Sequence, residues 1–164
     1  MKNTFLFLFL LTIAGLVIVG CDSDNPIDNT PSPEEILAGE LVSVKSATEK
    51  YHNVDNAIAD GYVDIDLFVP NMGSHFLKAD LLDEIFEMDK PELLVYSPSS
   101  NGGFILTAVE YAVPVALSAD APKGFTGEED QWVINQDFGL WVVHAWVWYD
   151  NPEGMFNPTN SRVP

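Results

Sequence analysis

The segment from Leu140 to Tyr149 constrains the fold of this chain more than any other. Its sequence, LWVVHAWVWY, is apolar at odd and even positions alike and is rich in β-branched and aromatic residues. Successive side chains of a strand point to opposite faces of a sheet, so a strand with this pattern is buried on both sides. The segment predicts a central strand in a sheet whose two faces are both covered.

Further strands are predicted on the amino-terminal side of this segment. Residues 91–97 and 103–115 are strand-like, and the Asn-Gly-Gly sequence at 101–103 is typical of a tight hairpin, so the two strands should pair antiparallel. Residues 132–134 are a candidate fourth strand. Residues 62–70 fit either a strand or an extended loop.

Helices are predicted before the strands. The sequence Ser-Pro-Glu-Glu at 32–35 combines a capping serine, a proline at the first helical position and acidic residues in the first turn. Apolar residues at spacings of three and four extend this helix to about Tyr51, and a second short helix ends at Gly61. A short helical turn is expected within residues 81–88.

The expected fold class is α+β. The N-terminal helices should pack on a mainly antiparallel sheet, or on a partly open β-barrel, built from residues 92–149. We expect the helices within residues 33–60 to cover one face of the sheet. The loops at 62–88 and 150–158 should cover the other face.

The first twenty-one residues have the pattern of a bacterial lipoprotein signal. Lys2 precedes an apolar run of about fifteen residues, Phe5 to Val19, which is followed by Gly20 and by the chain's one cysteine, Cys21. A helix that spans a membrane needs roughly 20 apolar residues, so a retained transmembrane anchor is the weaker interpretation. Cys21 is then the site of lipid attachment. The predicted regions are a signal peptide at 1–20, a flexible tether at 21–33 and a single globular domain at 34–164.

Lipid attachment at Cys21 implies a membrane-anchored protein of the bacterial cell envelope, on the extracytoplasmic side, and we favour the outer membrane over the inner. Cleavage removes 20 of the 164 residues, and the loss of Lys2 changes the formal charge from −18 to −19. A charge of this sign repels nucleic acid, which we exclude as a partner. With Cys21 modified, no thiol remains for a disulfide or a thiolate metal site.

Three polar residues in apolar or turn surroundings are the candidates for chemistry. His75 follows a turn sequence, His144 lies in the middle of the apolar strand, and Glu110 should share one strand face with Leu106 and Ala108. Burying a carboxylate or an imidazole is costly unless the group finds a partner, so mutual pairing or a shared cation is expected. A set of His75, Glu110 and His144 suits a divalent transition metal such as zinc, iron, manganese or copper.

The alternative is an ordinary core pair, in which His144 bonds Glu110 or a backbone carbonyl and His75 only caps a turn. His52, near the end of a predicted helix, is expected to have no functional role. A metal site requires the three side chains to converge within roughly 4 to 5 Å, because ligand bonds to one ion are about 2 Å long.

Three short motifs surround the candidate residues. They are Met-Gly-x-His at 72–75, Val-Glu-Tyr at 109–111 and the pattern HxWxWxxNPxGMF at 144–156. In these motifs the chain resembles a family of small secreted or lipid-anchored bacterial proteins of uncharacterised function. The resemblance implies no activity, substrate or cofactor, but it places all three candidates in the family's own motifs and so favours a shared polar or metal site.

These features favour a lipid-anchored envelope protein with a binding or accessory role and a metal site at His75, Glu110 and His144. One alternative is a metal-dependent enzyme that uses the same site with an open coordination position. The other is a purely structural envelope domain without a ligand.

Replacement of Cys21 by serine tests the predicted anchor. The Cys21→Ser change removes the acyl acceptor together with the cleavage box, so the variant should accumulate as an uncleaved precursor that carries no lipid. Metabolic labelling of the expressing bacterium with a fatty-acid probe measures this, with the labelled wild-type protein as the control. A variant that still takes up the probe would refute the lipid anchor.

Overall fold

Two α-helices and six strands form the part of the chain that the computed structural model describes, residues 30–164. The predicted signal peptide, Cys21 and residues 22–29 of the tether lie outside the described residues. Within this part, no helix has the length and apolar character needed to cross a membrane. The elements are α1 (Pro33–Thr48), α2 (Val54–Ala59), β1 (Val63–Val69), β2 (Gly73–Leu77), β3 (Leu93–Pro98), β4 (Phe104–Pro114), β5 (Val133–Asn135) and β6 (Leu140–Ala145).

The first helix begins where the sequence predicts. The Ser32 hydroxyl accepts a hydrogen bond from the Glu35 N–H (3.3 Å), and the Glu35 carboxylate accepts one from the Ser32 N–H (2.8 Å). This reciprocal capping satisfies amide groups that a helix start leaves free. The helix continues as a 3₁₀ turn at Glu49–His52, and α2 ends before Gly61, whose φ of +97° is the left-handed conformation common after helices.

The six strands form one curled antiparallel sheet in the order β1-β2-β3-β4-β6-β5. The α+β prediction is confirmed, and so are the β3–β4 hairpin and the short strand β5. The sequence of residues 62–70 fits either a strand or a loop. In the structure this segment contains β1, which pairs with β2 at one edge of the sheet.

Both faces of the sheet are covered. The helices cover one face, which we call the helix face, and the core there contains Val44, Tyr51 and Ala57. The other face, which we call the site face, is covered mainly by residues that follow β6. Leu82 and Met155 come from the loops expected to provide this cover, whereas much of 62–88 joins the sheet as β1 and β2. The buried residues of the site face include Leu93, Val95, Ala108, Ala112, Val142, Trp146 and Val163.

The prediction that Leu140–Tyr149 is the central strand is wrong in two respects. Strand β6 ends at Ala145, and it lies beside the short edge strand β5, while β3 and β4 occupy the centre. Beyond Ala145 the chain leaves the ladder, because the Trp146 N–H donates to the Met155 carbonyl (3.0 Å) and the Trp148 N–H donates to the Thr107 carbonyl (3.2 Å). Trp146 packs with Val95, Ala108 and Val163 on the site face, and Trp148 packs against the core of the helix face, so both are packed without extending the strand.

The expected shared face of β4 is also wrong, because a β-bulge interrupts the strand. Tyr96 pairs with Leu106 while Val95 pairs with Ala108, so Thr107 is an extra residue in the ladder. Leu106 therefore packs in the core of the helix face, whereas Ala108 belongs to the site face. Without this bulge, Leu106 and Glu110 would have shared one face.

The helical turn expected at 81–88 is largely absent from the described chain. A 3₁₀ turn spans only Ala79–Leu81, and the residues after it are irregular. The Asp83 carboxylate accepts a hydrogen bond from the Ile85 N–H (2.7 Å), a local bond that competes with helix formation.

Residues 155–164, which we call the closing segment, are fixed to the turn that precedes β2. The Asn71 N–H donates to the Pro164 carbonyl (3.0 Å), and the Asn160 N–H donates to the Asn71 carbonyl (2.8 Å). Asn160 is completely buried, and Val163 packs against Val95 on the site face.

Substitution of Gly73 should destabilise the fold strongly. Gly73 has a φ of +121°, and a Cβ atom there would lie 2.4 Å from the Tyr96 carbonyl oxygen. We expect Gly73→Ala to lower the free energy of unfolding by about 2–4 kcal/mol, from backbone strain and this clash together. Urea unfolding measures the change.

Gly39→Ala is the matched control, because a Cβ atom at this position in α1 meets nothing within 4 Å. This control should raise stability by up to about 1 kcal/mol through helix propensity. Equal effects of the two substitutions would contradict the packing described for Gly73.

Candidate metal centre

The three candidate residues lie on the site face, on three different strands. His75 is on β2, Glu110 on β4 and His144 on β6. Glu110 and His144 are directly paired across the β4–β6 ladder. Strand β3 separates His75 from Glu110, because Val95 pairs with His75 on one side and with Ala108 on the other. The curl of the sheet and the length of both side chains bring His75 and Glu110 together across this strand.

The ligand atoms of these residues converge. His75 Nε2 lies 3.4 Å from Glu110 Oε2, and His144 Nε2 lies 3.7 Å from the same oxygen. One ligand atom from each of the three residues lies within 4.8 Å of the others. Two atoms bound to one ion at about 2.1 Å and a tetrahedral angle are about 3.4 Å apart, which is close to these separations. The group could hold a metal ion.

The hydrogen bond of His75 is made through Nδ1, and the Nε2 atoms of His75 and His144 both face Glu110. His75 Nδ1 lies 3.1 Å from the Leu67 carbonyl oxygen, an acceptor that fixes the ring proton on Nδ1. His144 Nε2 is buried and finds no hydrogen-bond partner within residues 30–164. The core pair in which His144 bonds Glu110 is therefore not formed, and His75 is a strand residue rather than a turn cap.

Burial holds the group close to electrical neutrality. It raises the pKa of Glu110 to about 8, with a smaller contribution from the charge of Glu92. Burial also lowers the pKa of His144 to about 3, with a smaller contribution from His75, and it lowers the pKa of His75. The histidines are thus uncharged bases at neutral pH, which is the form that ligates a metal.

The site is closed to solvent. The side chains of His75, Glu110 and His144 are 3%, 8% and 3% exposed. The ring of Trp146 stacks beside His144, with ring centroids 6.2 Å apart and planes inclined by 15°. Trp146 is held there by its indole N–H, which donates to the Asn157 carbonyl (2.7 Å). An enclosed site of this kind admits an ion or a molecule of similar size.

Searches against protein-family models, curated proteins and solved structures find no match for this chain. Its function is therefore inferred from the geometry and chemistry of its own residues.

Two groups that contact or influence the site were not predicted from the sequence. The Leu67 carbonyl contacts His75, and the buried Glu92 carboxyl influences Glu110 through space. The two aspartates at 64 and 66 are a weak signal for the turn that presents the Leu67 carbonyl. His52 lies outside the group, exposed and with its ring 4.3 Å from that of Trp148.

Glu92 should make stability depend on pH. Its carboxylate accepts a hydrogen bond from the Ala112 N–H (3.0 Å), and burial raises its pKa from 4.5 to about 8. Because the folded-state pKa is the higher one, the stabilisation from Glu92 is fully present below about pH 4.5 and is lost as pH rises through about 8.

Glu92→Gln keeps an oxygen acceptor but removes the titration. The stability of this variant relative to wild type should therefore rise between pH 5 and pH 8, by at most about 1.4 kcal/mol per pH unit. Urea unfolding at several pH values measures this, with the exposed Glu49→Gln as the control. A difference from wild type that does not change with pH would contradict the proposed titration of Glu92.

Proposed function

We propose that this protein is a lipid-anchored domain of the bacterial cell envelope that binds a divalent transition metal ion through His75, Glu110 and His144. The observation that carries the proposal is the convergence of three buried ligand atoms within 4.8 Å. The membrane anchor at Cys21 and the extracytoplasmic location belong to the same proposal and rest on the sequence pattern alone.

The donor set indicates the class of metal. Two imidazole nitrogens and one carboxylate oxygen suit zinc, iron(II), manganese or copper(II), whereas calcium and magnesium prefer sites made only of oxygen. The separations of 3.4 and 3.7 Å exceed an ordinary N–H···O hydrogen bond of about 2.7–3.2 Å, so the groups lie close without bonding one another. An ion between them would satisfy His144 Nε2 and would bind Glu110 in its deprotonated form, with release of the carboxyl proton.

A binding or accessory role is better supported than catalysis. A metal enzyme keeps a coordination position that its substrate can reach. Here the ligands are almost fully buried, and Trp146 stacks beside one of them. Two cavities of about 420 and 440 Å³ lie elsewhere, one lined by residues within 122–132 and the other by residues within 128–133 and 153–158, and none of the three ligands lines either cavity.

A purely structural domain without a ligand is disfavoured by His144. In that case its Nε2 atom would stay buried without a partner beside a buried carboxyl, an arrangement that costs stability. A bound ion removes this cost, so the proposed ion contributes to folding as well as to function.

Metal content and thermal unfolding of the full-length protein in detergent test the proposal. Protein purified without chelator should contain close to one equivalent of a transition metal by elemental analysis. Addition of a chelator should lower the unfolding midpoint by roughly 5–10 °C, because a bound ion stabilises the folded state by mass action. His144→Gln, which removes one ligand, should unfold at a midpoint that the chelator does not change.

The matched control is His52→Gln, which alters a histidine outside the site. Its midpoint should respond to the chelator as the wild-type midpoint does. A wild-type midpoint that does not respond, together with the absence of metal by elemental analysis, would overturn the metal site and leave the structural role.

A further inference from the structure

The β1–β2 ladder is irregular at the position of His75. Asp64 pairs with Phe76 and Phe68 pairs with Ser74, so residues 65–67 of β1 lie opposite the single residue His75. A regular ladder would place one residue there. The two additional residues form a bulge, a feature that re-aims backbone groups and is common beside functional sites.

The local sequence specifies this bulge. Asp66 has a φ of +55°, the left-handed conformation that aspartate and asparagine adopt more readily than most residues. The Asp64 carboxylate accepts a hydrogen bond from the Asp66 N–H (2.9 Å), which closes an Asx turn. Both aspartates are exposed and Ile65 is 38% exposed, so the bulge does not serve to fill the core.

The bulge directs the Leu67 carbonyl at the His75 ring. In a regular antiparallel ladder this carbonyl would bond a backbone N–H of the neighbouring strand or face away from it. Here its oxygen lies 3.1 Å from His75 Nδ1. A neutral imidazole with an acceptor at Nδ1 carries its proton on Nδ1, and its Nε2 lone pair then faces Glu110 Oε2 at 3.4 Å.

We propose that the bulge at Asp64–Leu67 is a positioning element of the metal centre, in which Asp64 acts through the Asp66 turn and the Leu67 carbonyl to fix the tautomer and orientation of His75. The inference rests on the metal site proposed above. Acceptors that bind the second ring nitrogen of a ligating histidine typically change metal affinity by roughly 10- to 100-fold. The competing explanation is that the bulge only protects the edge strand β1 from pairing with other chains.

Zinc binding by the full-length protein in detergent, measured by competition with a fluorescent chelator, tests the inference. Asp64→Ala removes the Asx acceptor and should weaken zinc binding roughly 10- to 100-fold. Asp64→Asn keeps an oxygen acceptor at the same position and should restore the wild-type affinity. Asp83→Ala is the matched control, because Asp83 makes the same kind of turn with the Ile85 N–H (2.7 Å) in another loop.

A second pair of variants gives an independent test through the backbone. Asp66→Val places a β-branched residue at a left-handed φ and should weaken zinc binding, whereas Asp66→Gly adopts this φ without strain and should not. Thermal unfolding shows whether Asp64→Ala folds. If it does not, the comparison of Asp66→Val with Asp66→Gly tests the positioning role of the bulge.

The tautomer of His75 is a readout that a merely structural bulge would not change. Long-range ¹H–¹⁵N spectra of the metal-free protein should show His75 protonated on Nδ1, with the signal assigned from its loss in His75→Gln. Asp64→Ala should move His75 towards a mixture of tautomers, and Asp64→Asn should not.

The results of these experiments distinguish the positioning role of the bulge from the metal site itself. If wild-type protein binds zinc but Asp64→Ala binds it equally well with the same His75 tautomer, the positioning role is overturned and the metal site stands. If wild-type protein binds no zinc, the metal site fails, and this inference fails with it. Weaker binding and a changed tautomer in Asp64→Ala, both restored in Asp64→Asn, support the inference.

Discussion

Burial of the sheet on both faces is the constraint on which the rest of this structure depends. Away from the hairpin that joins them, the central strands β3 and β4 have no exposed residues, so the side chains there must pack or find a polar partner. The helices meet this requirement on one face, where Tyr96 and Tyr111 direct their hydroxyls to backbone carbonyls. The residues after β6 meet it on the other face. Without the helices, or without the residues after β6, a wide apolar surface of the sheet would be exposed to water.

The candidate centre follows from the same constraint. Polar side chains on a doubly covered sheet cannot be satisfied by bulk water, so they must satisfy one another or share a ligand. Among residues 30–164, His75, Glu110 and His144 form such a group, with one ligand atom of each within 4.8 Å of the others. The short side chains of Ala108 and Ala112, on either side of Glu110 along the same face of β4, leave room for the larger polar groups. Small residues beside large polar ones are thus part of how this sheet accommodates its site.

The features that were predicted correctly from the sequence are those that depend on residues close together in the chain. The cap at Ser32 and the Asn-Gly-Gly hairpin depend on a few adjacent residues, and both form as expected. The bulge at Thr107 depends on how β4 pairs with β3, and no property of residues near 107 reveals that pairing. The same holds for the site. Each of its three residues could be selected as unusual, but their convergence depends on the strand order, with β3 inserted between β2 and β4.

The closing segment has a kinetic consequence for any ion in the proposed site. It covers the site face through Met155 and Val163, and it is tied to Asn71, four residues before the ligand His75. An ion enclosed beneath such a layer exchanges only when part of the layer opens, so its residence time follows the free energy of that local opening. The affinity for the ion then depends on the three ligands, whereas the rate of ion exchange depends on the closing segment. A domain built in this way can retain a weakly bound ion for a long time, and evolution can alter retention without altering a single ligand.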